Sequence, residues 1–157
     1  MKQAEIKIVN LPQMRIACIN SYCESPETDA FNRMKVWAKA HGVLEKPYRT
    51  FGFDNPIGGP GSPNRGYDVW ITVDESIQAD NEVSIVDFKG GLYAVMRVDV
   101  KSPWEDIPPA WGRLVEWREN SKYHEAHHQW LEEHIGPLDI MGGEEAFTLD
   151  LHLPIRE

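Results

Sequence analysis

Tyr67-Asp68-Val69-Trp70-Ile71-Thr72-Val73 and Phe147-Thr148-Leu149-Asp150-Leu151-His152-Leu153 stand 80 positions apart and share one alternation. In a strand, successive side chains point to opposite faces. Tyr67, Val69, Ile71 and Val73 therefore share an apolar side, as do Phe147, Leu149, Leu151 and Leu153. The same offset relates Ala30-Phe31-Asn32-Arg33-Met34-Lys35-Val36-Trp37 to Ala110-Trp111-Gly112-Arg113-Leu114-Val115-Glu116-Trp117. It also relates Thr50-Phe51-Gly52-Phe53 to Trp130-Leu131-Glu132-Glu133. Solenoid periods run about 20–50 residues, which is too short for this spacing. Two copies of one small α/β unit fit instead, paired about a pseudo-twofold axis with a ligand cleft between the halves. The copies differ most tellingly where Gly52 in the first is Glu132 in the second.

Working outward, the stretch Glu5 to Asn20 alternates and is rich in Ile and Val, which predicts a strand broken at Pro12. Ser25-Pro26 predicts an N-cap followed by proline at the first helical position. Ala30, Phe31, Met34, Trp37 and Ala38 recur at helical spacing, and Gly42 supplies a stop. Tyr48 to Asp54 and Tyr67 to Val73 read as strands around a Gly/Pro-rich loop, Asn55 to Gly66. In the second half, Val83 to Phe88 and Gly91 to Val100 read as strands joined by a glycine turn at Lys89-Gly90-Gly91. Pro108-Pro109 argues for a second helix starting near Pro109 and ending near Ser121, because residues before proline avoid the helical region. Gln129 to Ile135 and Ala146 to Pro154 are the last strands. The reading is α+β: strand, helix, strand, strand, twice, with an antiparallel sheet and its helices on one face. It makes residues 1–157 a single domain of two repeats, about 5–75 and 83–157.

Composition narrows the function. The net charge is -9, and no cluster of Lys and Arg offers the basic face that nucleic-acid phosphates require. The acidic balance instead suits cationic partners. No apolar run approaches the roughly 20 residues of a membrane span, and Met1-Lys2-Gln3-Ala4-Glu5 opens no apolar signal segment. The expectation is a cytoplasmic chain, with Cys18 and Cys23 reduced. His124, His127, His128 and His134 crowd one stretch, but His127 and His128 point apart in an extended chain and no Cys lies near, so no metal is expected. Neither glycine fingerprint for phosphate binding is present, and no cofactor is expected.

Alternation also distributes the candidate site. With the apolar sides on the helices, Asp68, Trp70 and Thr72 point the other way, as do Thr148, Asp150 and His152. If Leu131 faces the helices, then Trp130, Glu132 and His134 join that opposite face, with Tyr48 and Thr50 from the first copy. A carboxylate among aromatic rings is a cation site, because charge attraction adds to cation–π contact. The ligand-binding candidates are Glu132 as charge partner, with Trp70, Trp130, Trp111, Tyr48, Phe53 and the pH-sensitive His134 around it.

The chain resembles the GyrI-like small-molecule-binding domain, which also forms the effector-binding half of Rob- and BmrR-type transcription regulators. Phe51-Gly52-Phe53-Asp54-Asn55-Pro56 is similar to that family's Gly-(hydrophobic)-Asp-(Asn/Asp)-Pro turn. Gly90-Gly91-Leu92-Tyr93-Ala94-Val95 resembles its Gly-Gly-x-Tyr-Ala-Val segment. Ala110-Trp111 with Leu114 and Trp117 matches its second helix, and Leu151-His152-Leu153-Pro154-Ile155 its closing strand. The resemblance implies duplicated β-α-β-β units (SHS2-like), adds Tyr93 to the ligand-binding set, and makes Glu132 the pocket glutamate. His134 stands where the family usually has tyrosine. The implied function is binding of a small cationic or amphipathic aromatic molecule. Two alternatives stay open: a hydrolase of reactive cyclopropane-bearing natural products, using Glu132, and a protein-interaction inhibitor of the DNA gyrase-inhibitor type.

Overall fold

The structure is a computed structural model that describes residues 5–57, 60–143 and 145–157. The chain forms β1 (Ile6–Leu11), β2 (Met14–Cys23), α1 (Pro26–Ala40), β3 (Thr50–Asp54), β4 (Arg65–Thr72), β5 (Ser84–Phe88), β6 (Gly91–Val100), α2 (Pro103–Glu119), β7 (His124–Glu125), β8 (Leu131–Ile135) and β9 (Phe147–Arg156). These gather into two compact units, neither a contiguous half of the chain. One, the α1 unit, is Met14–Phe88 with Gly136–Glu144. The other, the α2 unit, is Met1–Gln13, Lys89–Ile135 and Glu145–Glu157. Both are antiparallel sheets carrying a helix on one face, so the fold class is α+β. Among the described residues no helix is long and apolar enough to cross a membrane.

In the α1 unit the strand order is β5-β2-β4-β3. Ala30, Phe31, Met34, Trp37 and Ala38 recur on one side of α1 and bury against Ala17 and Ile19 of β2 and Tyr67, Val69 and Ile71 of β4. The helix stops where Gly42 turns left-handed at φ +70°, a conformation that glycine adopts without steric cost. In the α2 unit the order is β1-β6-β9-β8, with β7 on β9. Ala110 and Leu114 of α2 pack on Ala94, Met96 and Val98 of β6 and on Leu149, Leu151 and Leu153 of β9. The expected apolar sides of β4 and β9 therefore do face the helices.

The two units share one pairing register. Trp70 is opposite Cys18 on one side and Phe51 on the other. His152 is opposite Val95 and Leu131 in the same way. Trp70 and His152 are thus equivalent positions, as are Tyr67 and Leu149, and Gly52 and Glu132.

The expected break at Pro12 divides the stretch into two strands, β1 and β2, which pair in different units. Two expectations need correction. Helix α2 begins at Pro103, six residues before the predicted start, with Pro108 and Pro109 inside it. Asp106 accepts the amides of Lys101 (2.8 Å) and Ser102 (2.9 Å) and so holds the first turn. The carbonyls that the two prolines cannot serve belong to Trp104 and Glu105, which lie exposed at the helix start where water can reach them. Nor does Ser25 cap α1 through its side chain; Asp29 N–H donates to the Ser25 carbonyl instead.

Candidate functional site

The decisive local feature is the register of β8. Glu132 is opposite Leu151 and His134 opposite Leu149. Directly opposed residues share a face, so Glu132 and His134 lie on the α2 side of the sheet, with the core leucines. Leu131, Glu133 and Ile135 take the other face, with His152, Asp150 and Thr148. The predicted placement of Trp130, Glu132 and His134 away from the helices is therefore inverted. The cause is that β9 is buried on both sides. Leu149, Leu151 and Leu153 are enclosed on one, His152 on the other, and Leu131 buries fully without facing a helix. Leu131 therefore gives no clue to the face.

On the face away from α2, polar groups converge. Tyr93 (β6) is fully buried, and its Oη donates to the Gln129 carbonyl at 2.5 Å. Burial pushes the phenol's pKa upward, which keeps it a donor. Its ring meets His152 edge-on at 5.5 Å and His128 at 4.7 Å. His128 is held by its Nε2, which donates to the Leu92 carbonyl at 2.8 Å. His152 Nδ1 is 2.9 Å from the Asp150 carbonyl, an acceptor, so Nδ1 carries the proton. That leaves Nε2 facing Glu133 Oε1 at 3.7 Å, beyond hydrogen-bond reach. Arg97 clamps Asp150 through Nε (2.8 Å) and Nη2 (3.1 Å). The group of Glu133, Asp150 and Arg97 holds two carboxylates to one guanidinium, and its least exposed member is Glu133, at 9%.

On the α2 side, Trp111 and Trp130 meet with ring centroids 5.1 Å apart and planes at 43°. His134 stacks on Phe147 at 6.0 Å. The residue keeps part of its surface open, but its imidazole is enclosed, and burial pushes its pKa down to about 3. His134 is therefore neutral at physiological pH and is not the pH-sensitive group expected of it.

In the α1 unit, Trp70 lies off the helix face as predicted, edge-on to Phe53 (5.1 Å) and Phe88 (5.6 Å). Asp68 on the same face accepts Asn20 Nδ2 (2.5 Å), Asn55 Nδ2 (3.2 Å) and the Cys18 thiol (3.6 Å). Burial, with the Asp68 charge beside it, pushes that thiol up to about 12. Tyr48 instead packs on the α1 side, where its Oη accepts the Leu138 amide at 2.9 Å. A groove of about 430 Å³ in this unit is lined by His41, Lys46, Thr72, Asp74 and Ile77, none of them a predicted site residue. Its rim charges are engaged with each other: Lys46 pairs with Asp74 at 2.5 Å.

The structure thus distributes the predicted residues: Tyr93 with residues not predicted, Trp111 and Trp130 with Glu132 and His134 on their side, Trp70 with Phe53, and Tyr48 apart on the α1 side. The residues missed were Glu133, His152 and His128. Strand alternation carried the signal for Glu133 and His152, because either parity of β8 brings one glutamate onto the Tyr93 face.

Two helix-backed antiparallel units in an α+β chain define the fold class. The chain belongs to the GyrI-like small molecule binding domain family, matched over residues 4–135. No curated protein matches it in sequence. Solved structures share the fold at low identity. The EcmrR C-terminal domain is 10% identical, with a TM-score of 0.67, over 99% of this chain and 99% of that one. A hydrolase from Listeria innocua is 10% identical, TM-score 0.64, over 97% of this chain and 92% of that one. SAV2435 bound to tetraphenylphosphonium is 12% identical, TM-score 0.53, over 97% and 94%.

Proposed function

We propose that this chain is a single ligand-binding domain of two repeats, about 5–75 and 83–157, acting in the cytoplasm on a small cationic or amphipathic aromatic molecule. The observation that carries this is the largely buried carboxylate of Glu133, which shares one face with the aromatic ring of Tyr93 and with His152. An organic cation is attracted by the two carboxylates of this face, Glu133 and Asp150, while the Tyr93 and His152 rings supply apolar surface. In this reading Glu133 takes the role expected of Glu132. Protonating His152 puts a positive charge 3.7 Å from Glu133 and competes with the ligand. The tetraphenylphosphonium held by the related SAV2435 is a ligand of this class.

Titration calorimetry with tetraphenylphosphonium and with neutral triphenylphosphine oxide tests the reading. Glu133→Gln should weaken the cation by about 10–100-fold, the range of a charge-assisted contact of roughly 1.5–3 kcal/mol, and leave the oxide unchanged. Equal losses for both would remove the charge argument.

A second reading is hydrolysis, favoured by the Glu133 and His152 pair as a base and its neighbour and by the Listeria innocua hydrolase of the same fold. Product formation from a strained electrophile, lost in Glu133→Gln, separates it from binding alone.

A further inference from the structure

The groove of about 430 Å³ in the α1 unit is walled by two chain segments. One leads out of α1, from His41 to Pro47, and the other leaves β4, from Thr72 to Ile77. Both walls are fixed before any ligand arrives. His41 stacks on Trp37 with ring centroids 4.7 Å apart, and its Nδ1 donates to the Trp37 carbonyl at 2.8 Å. On the other side, the Val73 amide donates to the Arg15 carbonyl at 2.9 Å, and Arg15 Nη2 donates to the Ile77 carbonyl at 2.6 Å. The apolar part of the lining is Val43, Val73 and Ile77, which belong to the packing around α1.

Lys46 and Asp74 bring the charge to this groove. They pair at 2.5 Å, with side chains 71% and 41% exposed. Asp74 also accepts the Ser76 amide at 2.9 Å and the Ser76 hydroxyl, so its carboxylate is held in place. An ion pair this exposed adds little to stability and opens readily. A ligand with a single charge must break the pair and leave one partner without its counter-charge. A ligand with opposite charges on adjacent carbons exchanges one ion pair for two.

We propose that this groove binds a small zwitterion with a compact apolar group, of the free α-amino acid class. The ligand carboxylate pairs with Lys46 and its ammonium with Asp74, while its side chain rests on Val43, Val73 and Ile77. The site belongs to the α1 unit and shares no residue with the Glu133 face of the α2 unit.

The test follows the backbone amide signals of Ser76 and Ile77 by NMR near neutral pH. The probes are L-leucine, isocaproate, which lacks the ammonium, and isoamylamine, which lacks the carboxylate. L-leucine should shift both signals saturably and bind about tenfold more tightly than either singly charged probe, a difference of about 1.4 kcal/mol. Glycine should bind more weakly than L-leucine, because it brings no side chain to the apolar wall. Lys46→Gln should bring L-leucine and isoamylamine to equal affinity, and Asp74→Asn should do the same for L-leucine and isocaproate. Both side chains are open to solvent, and Asn keeps an acceptor for the Ser76 amide, so both variants should keep the circular dichroism of the wild type. Absent shifts with L-leucine, equal affinity for the three probes in the wild type, or a preference for L-leucine that survives both substitutions would each overturn the proposal.

Discussion

Gly52→Ala is the smallest change that probes the difference between the two units. The new Cβ would sit 2.2 Å from Tyr67 Oη and 2.5 Å from its Cε2 and Cζ, far inside van der Waals contact. Tyr67 is 2% exposed and packed beside Phe31 at 6.3 Å, so the ring has no open direction to move in. Overpacking of this kind costs about 1–3 kcal/mol. In a protein of this size each kcal/mol lowers Tm by about 2–4 °C, so the expected fall is roughly 2–12 °C by circular dichroism. Tyr67→Leu installs the residue found at the equivalent position, Leu149, and removes the clashing atoms. Gly52→Ala should then cost little in the Tyr67→Leu background, with a coupling of about 1–3 kcal/mol in the double-mutant cycle. A Gly52→Ala protein as stable as the wild type, or purely additive effects, would refute the idea that Tyr67 fills this place.

His134 has a pKa lowered by burial, so the unfolded chain binds more protons than the folded one between about pH 3 and the unperturbed value near 6.5. Stability should fall as pH drops through that window, by up to about 1.4 kcal/mol per pH unit from this group, and His134→Phe should flatten the urea-midpoint profile there. The thiols should differ sharply. Cys18 is enclosed with its pKa near 12 while Cys23 is partly open, so one thiol per folded chain should react with a disulfide reagent, and the second only on unfolding.

Much of the fold was legible because the residues that write it have one role each. Val69, Ile71, Leu149 and Leu151 alternate cleanly and do face the helices. Pro26 and the Ala30–Trp37 row define α1. The start of α2 was not legible, because the clamp by Asp106 is a contact between a side chain and amides upstream that periodicity does not register. The residue types of the candidate site were legible, but the face that each β8 residue takes was misread. Glu132-Glu133 is ambiguous wherever both faces of a sheet are buried, since Leu131 satisfies either parity and only pairing with β9 decides. His152 read as an incidental polar residue until the register set it opposite Val95 and Leu131, diagonal to Tyr93 and Glu133.

The central claim is that β8 presents Glu133, and not Glu132, to a cationic ligand beside Tyr93. The direct measurement is the affinity of tetraphenylphosphonium for the wild type, Glu132→Gln and Glu133→Gln, by titration calorimetry under identical conditions. The account predicts a loss of about 10–100-fold in Glu133→Gln and a change within about twofold in Glu132→Gln. The reverse order, with Glu132→Gln carrying the loss, would contradict it.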